Sequence, residues 1–161
     1  MKKIFASISA ILLTVASYAQ SAQKIPTDTL DILTSAIWEM VPPEGAVMAP
    51  DIYLVIGPEA HTQYLDYMPD KGKDLYFTYQ HYLSDRQDLL FDPSNVAKNK
   101  NGRYIIYTKE GMGAIPGIYE IVELSADKFV YKQGGDGMEI EWKRACTTDE
   151  LLERLAKMNI R

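Results

Sequence analysis

The chain has 161 residues, with 17 lysines and arginines against 22 aspartates and glutamates, and a formal net charge of −5. This acidic balance argues against nucleic acid or an anionic membrane surface as a partner. Cys146 is the only cysteine, which excludes an internal disulfide, so packing must supply the stability of the fold.

The N-terminal residues 1–19 have the pattern of a secretory signal peptide. A basic start is followed by an apolar run and by small residues at Ser17 and Ala19, with cleavage expected after Ala19. A membrane anchor is the alternative, but the apolar run is shorter than the roughly 20 residues that a span needs. We expect export to the periplasm or the exterior and a single mature domain over 20–161. Its net charge is −7, because the leader contains two lysines and no acid.

Alternation of apolar and polar residues with a period of two dominates the chain, and this pattern is typical of half-buried β-strands. Sequences rich in Gly, Pro, Asn and Asp separate most of the alternating segments, as expected for turns. The eight predicted strands are 37–40, 51–57, 63–68, 75–83, 103–108, 118–124, 128–132 and 138–144. Such strands build either a sandwich or a closed barrel, and the short connections favour an all-β, antiparallel up-and-down barrel. The interior of an eight-stranded barrel holds side chains or one small ligand.

Helical patterns occur only near the two ends of the chain. Residues 26–33 are compatible with one short turn of helix. Thr147 and Glu150 form a capping box ahead of an apolar stripe, which predicts a helix over 147–158. We expect this C-terminal helix to pack against the outside of the barrel. Cys146 precedes it, and a small buried residue is a better interpretation there than a reactive thiol.

Four stretches carry a family resemblance: YLSD, FDPSNVAKNKNGRYII, YEIVELSADKFV and IEW. Within residues 33–144 the chain resembles the small secreted lipocalin-like domains of the Bacteroides group of bacteria. The resemblance implies an eight-stranded barrel that is able to hold a small apolar molecule. Lipocalins typically begin with Gly-x-Trp, whereas Ala36 stands in place of that Gly ahead of Trp38. They also carry an Arg that covers the Trp, and Arg144 occupies the matching position.

Counting strands assigns the loops to the two ends of the barrel. Trp38 and Arg144 are expected at the same, closed end, where a guanidinium over an indole would contribute about 0.5–2 kcal/mol; a solvated Arg is the alternative. The long segment before the fifth strand is placed at this end too. We expect 89–91 to tuck under the barrel and 98–102 to face water.

The opposite rim contains apolar residues among glycines and prolines, which predicts a ligand portal. The alternative is that these residues pack on one another and close the barrel. The portal residues are Val47, Met48, Met112 and Ile115.

The inward faces of the strands define the candidate ligand site. In the strand 103–108 we expect Tyr104 and Ile106 to point inward. Six residues toward the open half are the predicted ligand-binding set, because aromatic rings with single hydroxyls suit a ligand of mixed polarity. They are Phe77, Tyr79, Ile106, Tyr119, Tyr131 and Ile140. The same residues also suit a filled core.

The strand 118–124 has two possible orientations. If Tyr119 and Ile121 face inward, Leu124 is left facing outward. If Leu124 faces inward, Glu120 lies in the middle of the barrel and becomes a polar contact for a ligand. We favour the first orientation.

No motif for catalysis, a cofactor or a metal stands out in the sequence. His61 and His81 are the only histidines, and neither has a partner at metal-ligand spacing. We therefore expect a secreted, non-enzymatic binding protein for a small apolar or amphipathic molecule, with no cofactor and no membrane span. The alternative is a filled barrel that meets a protein partner through its rim loops.

Overall fold

The computed structural model describes residues 26–46, 51–66, 74–108, 111, 113–134, 137–145 and 153. Eight antiparallel strands form a closed barrel in which each strand pairs with the next along the chain, and the last pairs with the first. The strands are β1 (Ile37–Met40), β2 (Asp51–Ile56), β3 (Ala60–Asp66), β4 (Asp74–Ser84), β5 (Tyr104–Tyr107), β6 (Gly117–Leu124), β7 (Lys128–Gln133) and β8 (Glu139–Arg144). The predicted up-and-down barrel is confirmed. Among the strands, the observed start differs most from the predicted start in β3.

A short helix, α1 (Thr29–Thr34), closes the end of the barrel at which β1 begins. Its residues Leu30 and Leu33 are buried in the main hydrophobic cluster. The indole N–H of Trp38 donates to the carbonyl of Leu33 at 2.9 Å, so the helix and the first strand are joined inside the core. Burying these leucines stabilises the fold by about 1.5–3 kcal/mol for each side chain.

The polar stretch before β5 holds α1 in place. The first amides of a helix lack intrahelical partners, and here residues about seventy positions away supply them. The amide of Leu30 donates to the carbonyl of Lys100 at 2.9 Å, and the amide of Thr29 donates to Asn101 Oδ1 at 3.2 Å. Asn99 donates to the carbonyl of Leu83 at 2.9 Å. Residues 98–101 are exposed, as expected from the sequence, and Gly102 is buried. The same stretch also supplies hydrogen bonds to α1 and β4, which the sequence did not predict.

The segment 85–102 also covers the outer face of β4. The ring of Phe91 lies 5.3 Å from that of Tyr82, whose hydroxyl donates to Asp88 at 3.0 Å. Leu89 and Leu90 are 86% and 63% exposed. The prediction that 89–91 tucks under the barrel is wrong. Phe91 packs instead on the broad ring of Tyr82, at the outer face of β4.

The inward face of β5 is the opposite of the predicted one. Ile105 and Tyr107 belong to the interior cluster, whereas Ile106 is the register partner of Tyr82 on the outer face. Ile106 is nevertheless fully buried, on the face that 85–102 covers. The sequence YIIY gives each face of the strand one Tyr and one Ile, so alternation alone does not distinguish them. Ile106 is therefore removed from the candidate ligand set.

A β-bulge resolves the ambiguity of β6. Tyr119 and Ile121 face inward, as favoured from the sequence. The register with β7 shifts between Ile121 and Glu123, which returns Leu124 to the inner face opposite Phe129. A bulge inserts one extra residue and reverses the alternation beyond it. Tyr119, Ile121 and Leu124 therefore all reach the core.

Several predictions lie outside the described residues. They are the leader 1–19, the portal residues Val47, Met48 and Met112, Cys146, and most of the helix 147–158. Glu153, the one described residue of that segment, is helical and exposed. Among the described residues, no helix has the length and apolar character needed to cross a bilayer.

Candidate functional site in the barrel interior

A continuous row of rings crosses the middle of the barrel interior. Tyr131 and Tyr119 stack with centroids 4.1 Å apart, and Tyr119 lies 4.4 Å from Tyr107. Trp142 continues the row 6.2 Å from Tyr131, and His61 lies 5.3 Å from Tyr107. We call these five residues the aromatic row. Five strands contribute to it, so its geometry depends on closure of the barrel.

The aromatic row fills the barrel at its own level. His61 on β3 and Tyr119 on β6 come from strands that are not neighbours, yet their ring centroids are 5.8 Å apart. Such a contact requires side chains that meet across the interior. Below this level Trp38 packs edge-on against Phe129 at 5.8 Å, and α1 closes the end. A bound molecule therefore has to lie above the row, toward the open end.

Two buried tyrosines of the row, Tyr119 and Tyr131, remain protonated over the ordinary pH range. Burial raises the pKa of Tyr131 to about 12, although hydrogen bonding with Tyr119 opposes part of this increase. Burial followed by the proximity of Tyr131 and Tyr107 raises the pKa of Tyr119 further. Gln133 donates to the hydroxyl of Tyr107 at 3.4 Å. Tyr119 and Tyr131 thus present neutral hydroxyls as hydrogen-bonding groups.

Two histidines lie side by side in the interior. Nδ1 of His61 and Nδ1 of His81 are 3.2 Å apart, and both side chains are almost completely buried. Desolvation by burial lowers the pKa of His81 to about 4. Burial first, and then the proximity of His81, lowers the pKa of His61 well below its ordinary value. Both rings are therefore neutral near pH 7, and one donates its Nδ1–H to the other.

The open half of the interior is lined by apolar side chains that are only partly buried. Alternation along the strands places them on the same face as core residues, and four of the five pack against the core cluster. We call this set the cup. It consists of Met40, Ile52, Phe77, Tyr79 and Ile140. Phe77 is 45% exposed although it alternates with Tyr79 and His81 on the inner face.

The exposure of Phe77 follows from unequal strand lengths. β4 pairs with β3 along Asp74–Gln80, but its described pairs with β5 cover only His81–Ser84. The upper part of β4 therefore rises above β5 and presents its inner face at the open end. An aromatic ring in this position offers apolar surface to whatever enters the barrel.

The structure divides the predicted ligand set into two groups inside the barrel and leaves Ile106 on the outer face. Phe77, Tyr79 and Ile140 line the cup. Tyr119 and Tyr131 lie in the aromatic row, where other rings already contact them. Of the portal residues, Ile115 is described and is 55% exposed.

Sequence reasoning missed the interior position of the histidine pair. It considered the two histidines only as possible metal ligands and gave them no part in the ligand site. The alternation that put Phe77 and Tyr79 inside β4 extends directly to His81, and this signal was available. Their mutual contact depends on the β3–β4 register, which pairs His61 with Tyr79.

Trp38 and Arg144 are register partners at the closed end, the arrangement expected from strand counting. The guanidinium of Arg144 donates to the carbonyl and hydroxyl oxygens of Ser35 at 3.2 and 3.0 Å and to the carbonyl of Ala126 at 3.1 Å. Arg144 therefore ties β8 to the end of α1 and to the loop between β6 and β7.

The sequence matches no protein-family model and no curated protein. Function is therefore inferred from the geometry of the interior.

Proposed function

We propose that this protein binds one small apolar or amphipathic molecule in the cup, above the aromatic row, without catalysis. The observation that supports it most strongly is the exposed inner ring of Phe77, next to the half-buried ring of Tyr79. Covering apolar surface contributes about 25 cal/mol for each Å² removed from water. A molecule seated against these two rings gains this contribution without unfolding any part of the core.

The chemistry of the cup fits an amphipathic ligand. Its five defining side chains contain one hydroxyl, that of Tyr79, and no ionisable acid or amine. Gln63, partly buried on β3 opposite Phe77, adds an amide at the same level. Binding sites for small molecules are usually apolar, with a few polar groups that fix orientation.

We further propose that the chain is an exported member of the lipocalin-like group. The up-and-down topology, the buried Trp38 in β1 and the opposing Arg144 in β8 support this assignment. Cell fractionation with an antibody, comparing the full chain with one that lacks residues 1–19, tests the export. Retention of the full chain in the cytoplasm would contradict it.

A filled-barrel scaffold is the second candidate, and the contact of His61 with Tyr119 across the interior favours it. In that case the exposed Ile115 on the rim would contact a protein partner. The two candidates differ in whether a small molecule enters the open half.

Fluorescence of the apolar dye N-phenyl-naphthylamine separates the two candidates. We expect saturable binding by the wild-type protein and a changed affinity in Tyr79→Ala, which keeps its fold because a residue beside an opening loses fewer contacts than a core residue. Tyr104→Ala is the matched control, since Tyr104 is half-buried on the outer face of β5, and its dye affinity should equal that of wild type. Absence of dye binding by the wild-type protein would favour the scaffold.

A further inference from the structure

The pairing of His61 with His81 leaves one hydrogen-bond donor and one acceptor unused. In a neutral imidazole, one ring nitrogen carries the proton and the other accepts. The ring that donates through Nδ1 therefore has a bare Nε2, and the ring that accepts through Nδ1 has a protonated Nε2. Both Nε2 atoms are buried, and neither has a hydrogen-bond partner among the described residues.

The unused donor and acceptor can exchange places. The proton between the two Nδ1 atoms can belong to either ring, and a shift of tautomer in both rings reverses which Nε2 donates. Leaving such buried groups unpaired costs about 1–3 kcal/mol for each group. A partner that both donates and accepts would satisfy either arrangement.

The surroundings of the pair contain no compensating charge among the described residues. Besides His81, the rings that contact His61 are those of Tyr79, Tyr107 and Tyr119. The described ion pairs between strand residues, such as those of Lys128 with Glu123 and Glu141, lie on the outer face. A carboxylate or an ammonium placed beside the pair would lose its hydration without gaining a counter-ion.

The pair lies directly behind the cup. The half-buried ring of Tyr79 is 5.5 Å from the ring of His61 and 5.5 Å from that of Tyr107. Movement of this one side chain would connect the cup to the pair. A ligand with its apolar part against Phe77 would then have its far end beside the two imidazoles.

We propose that the end of the bound molecule that reaches the His61–His81 pair is an uncharged hydrogen-bonding group, a hydroxyl or a primary amide, and that it is neither a carboxylate nor an ammonium. This inference rests on the proposed function, because it needs a molecule in the cup. It narrows the ligand class to neutral amphipathic compounds such as long-chain alcohols and amides.

Displacement of N-phenyl-naphthylamine by octanol, octyl chloride and octanoate at about pH 8, where the acid is ionised, tests the inference. The wild-type protein is compared with the double variant His61→Phe/His81→Phe, which keeps two rings at these positions and removes all four nitrogens. We expect octanol to bind about tenfold more weakly to the variant, a change of about 1.4 kcal/mol. The affinities of octyl chloride and of the dye should stay unchanged.

Three other outcomes have distinct meanings. If octanol and octyl chloride respond equally to the double variant, or if octanoate binds the wild-type protein more tightly than octanol, the inference is overturned and the cup remains a binding site. If the dye does not bind the wild-type protein, the proposed function fails, and the inference fails with it.

Should the double variant not fold, nitrogen NMR of the wild-type imidazoles gives the same answer. Octanol should move the Nε2 resonances of both histidines, whereas octyl chloride should leave them in place. Identical spectra with the two compounds, each displacing the dye, would overturn the inference.

Discussion

Acidification from pH 7.5 to pH 5 should weaken the folded state through the buried histidine pair. Burial lowers the pKa of His81 from 6.5 to about 4, and that of His61 falls well below 6.5. The unfolded chain therefore binds protons that the folded chain does not accept. Stability is greatest above about pH 6.5 and decreases as the pH falls toward the folded pKa values.

The size of the effect follows from the shift of His81. Each proton bound only by the unfolded chain changes the free energy of unfolding by about 1.36 kcal/mol per pH unit. Between pH 7.5 and pH 5 this amounts to about 2 kcal/mol for His81, and the lowered pKa of His61 acts in the same direction. The contribution of His81 alone is a substantial fraction of the roughly 5–15 kcal/mol that stabilises a typical domain.

The groups around the pair do not offset this loss. Its described ring neighbours are three tyrosines, Tyr79, Tyr107 and Tyr119, and not carboxylates. Burial is the first cause of the lowered pKa of each histidine, and no carboxylate contributes to either shift. The pH dependence in this range should therefore come chiefly from these two residues.

Urea unfolding at pH 7.5, 6.5, 5.5 and 5.0, followed by tryptophan fluorescence, measures the effect. Trp38 and Trp142 are fully buried and report on loss of the core. The double variant His61→Phe/His81→Phe should lose most of the pH dependence, because replacing both partners by apolar rings leaves no group to protonate. An equal slope in the variant, or a loss below about 1 kcal/mol in the wild-type protein, would refute the reasoning.

Three further substitutions test the packing. Gly117→Ala places a methyl group into the ring of Tyr107, so urea unfolding should show a loss of about 1–3 kcal/mol, with a changed near-ultraviolet dichroism; an unchanged spectrum would contradict this contact. Tyr107→Ala should cost about 3–5 kcal/mol as a core truncation, whereas Tyr104→Ala on the outer face should cost clearly less, and equal losses would contradict the assigned faces of β5. Arg144→Ala should lower stability by about 1 kcal/mol and change tryptophan fluorescence, because Ser35 loses charge-assisted hydrogen bonds near Trp38; no change in either signal would count against this role.

The sequence by itself determined the number of strands, their order and most of their inward faces. Alternation with a period of two reports directly on which side of a sheet is buried, so Tyr119, Tyr131 and Ile140 were placed correctly. Turn-forming residues fixed the connections, and short connections left the up-and-down order as the simplest topology. Strand counting, together with the family resemblance, also placed Trp38 and Arg144 at the same end of the barrel, where they are register partners.

Tertiary structure decided the features that local alternation leaves equal. In the strand Tyr104–Tyr107, each face carries one Tyr and one Ile, so the sequence pattern does not show which face is inward. Closure of the barrel and packing of Phe91 on Tyr82 place Ile105 and Tyr107 in the interior. The bulge after Ile121 depends on pairing with β7 and so has no signal in the strand itself. These choices involve contacts between residues distant in sequence.

The candidate site shows most clearly the contrast between what the sequence determined and what the tertiary structure decided. Composition indicated an aromatic interior, but the division into a filled row and an open cup depends on how far β4 rises above β5. The contact between His61 and His81 depends on the register of two strands. Desolvation, proton sharing and solvent access depend on which side chains are close in space, and the order of residues in the sequence does not give these contacts.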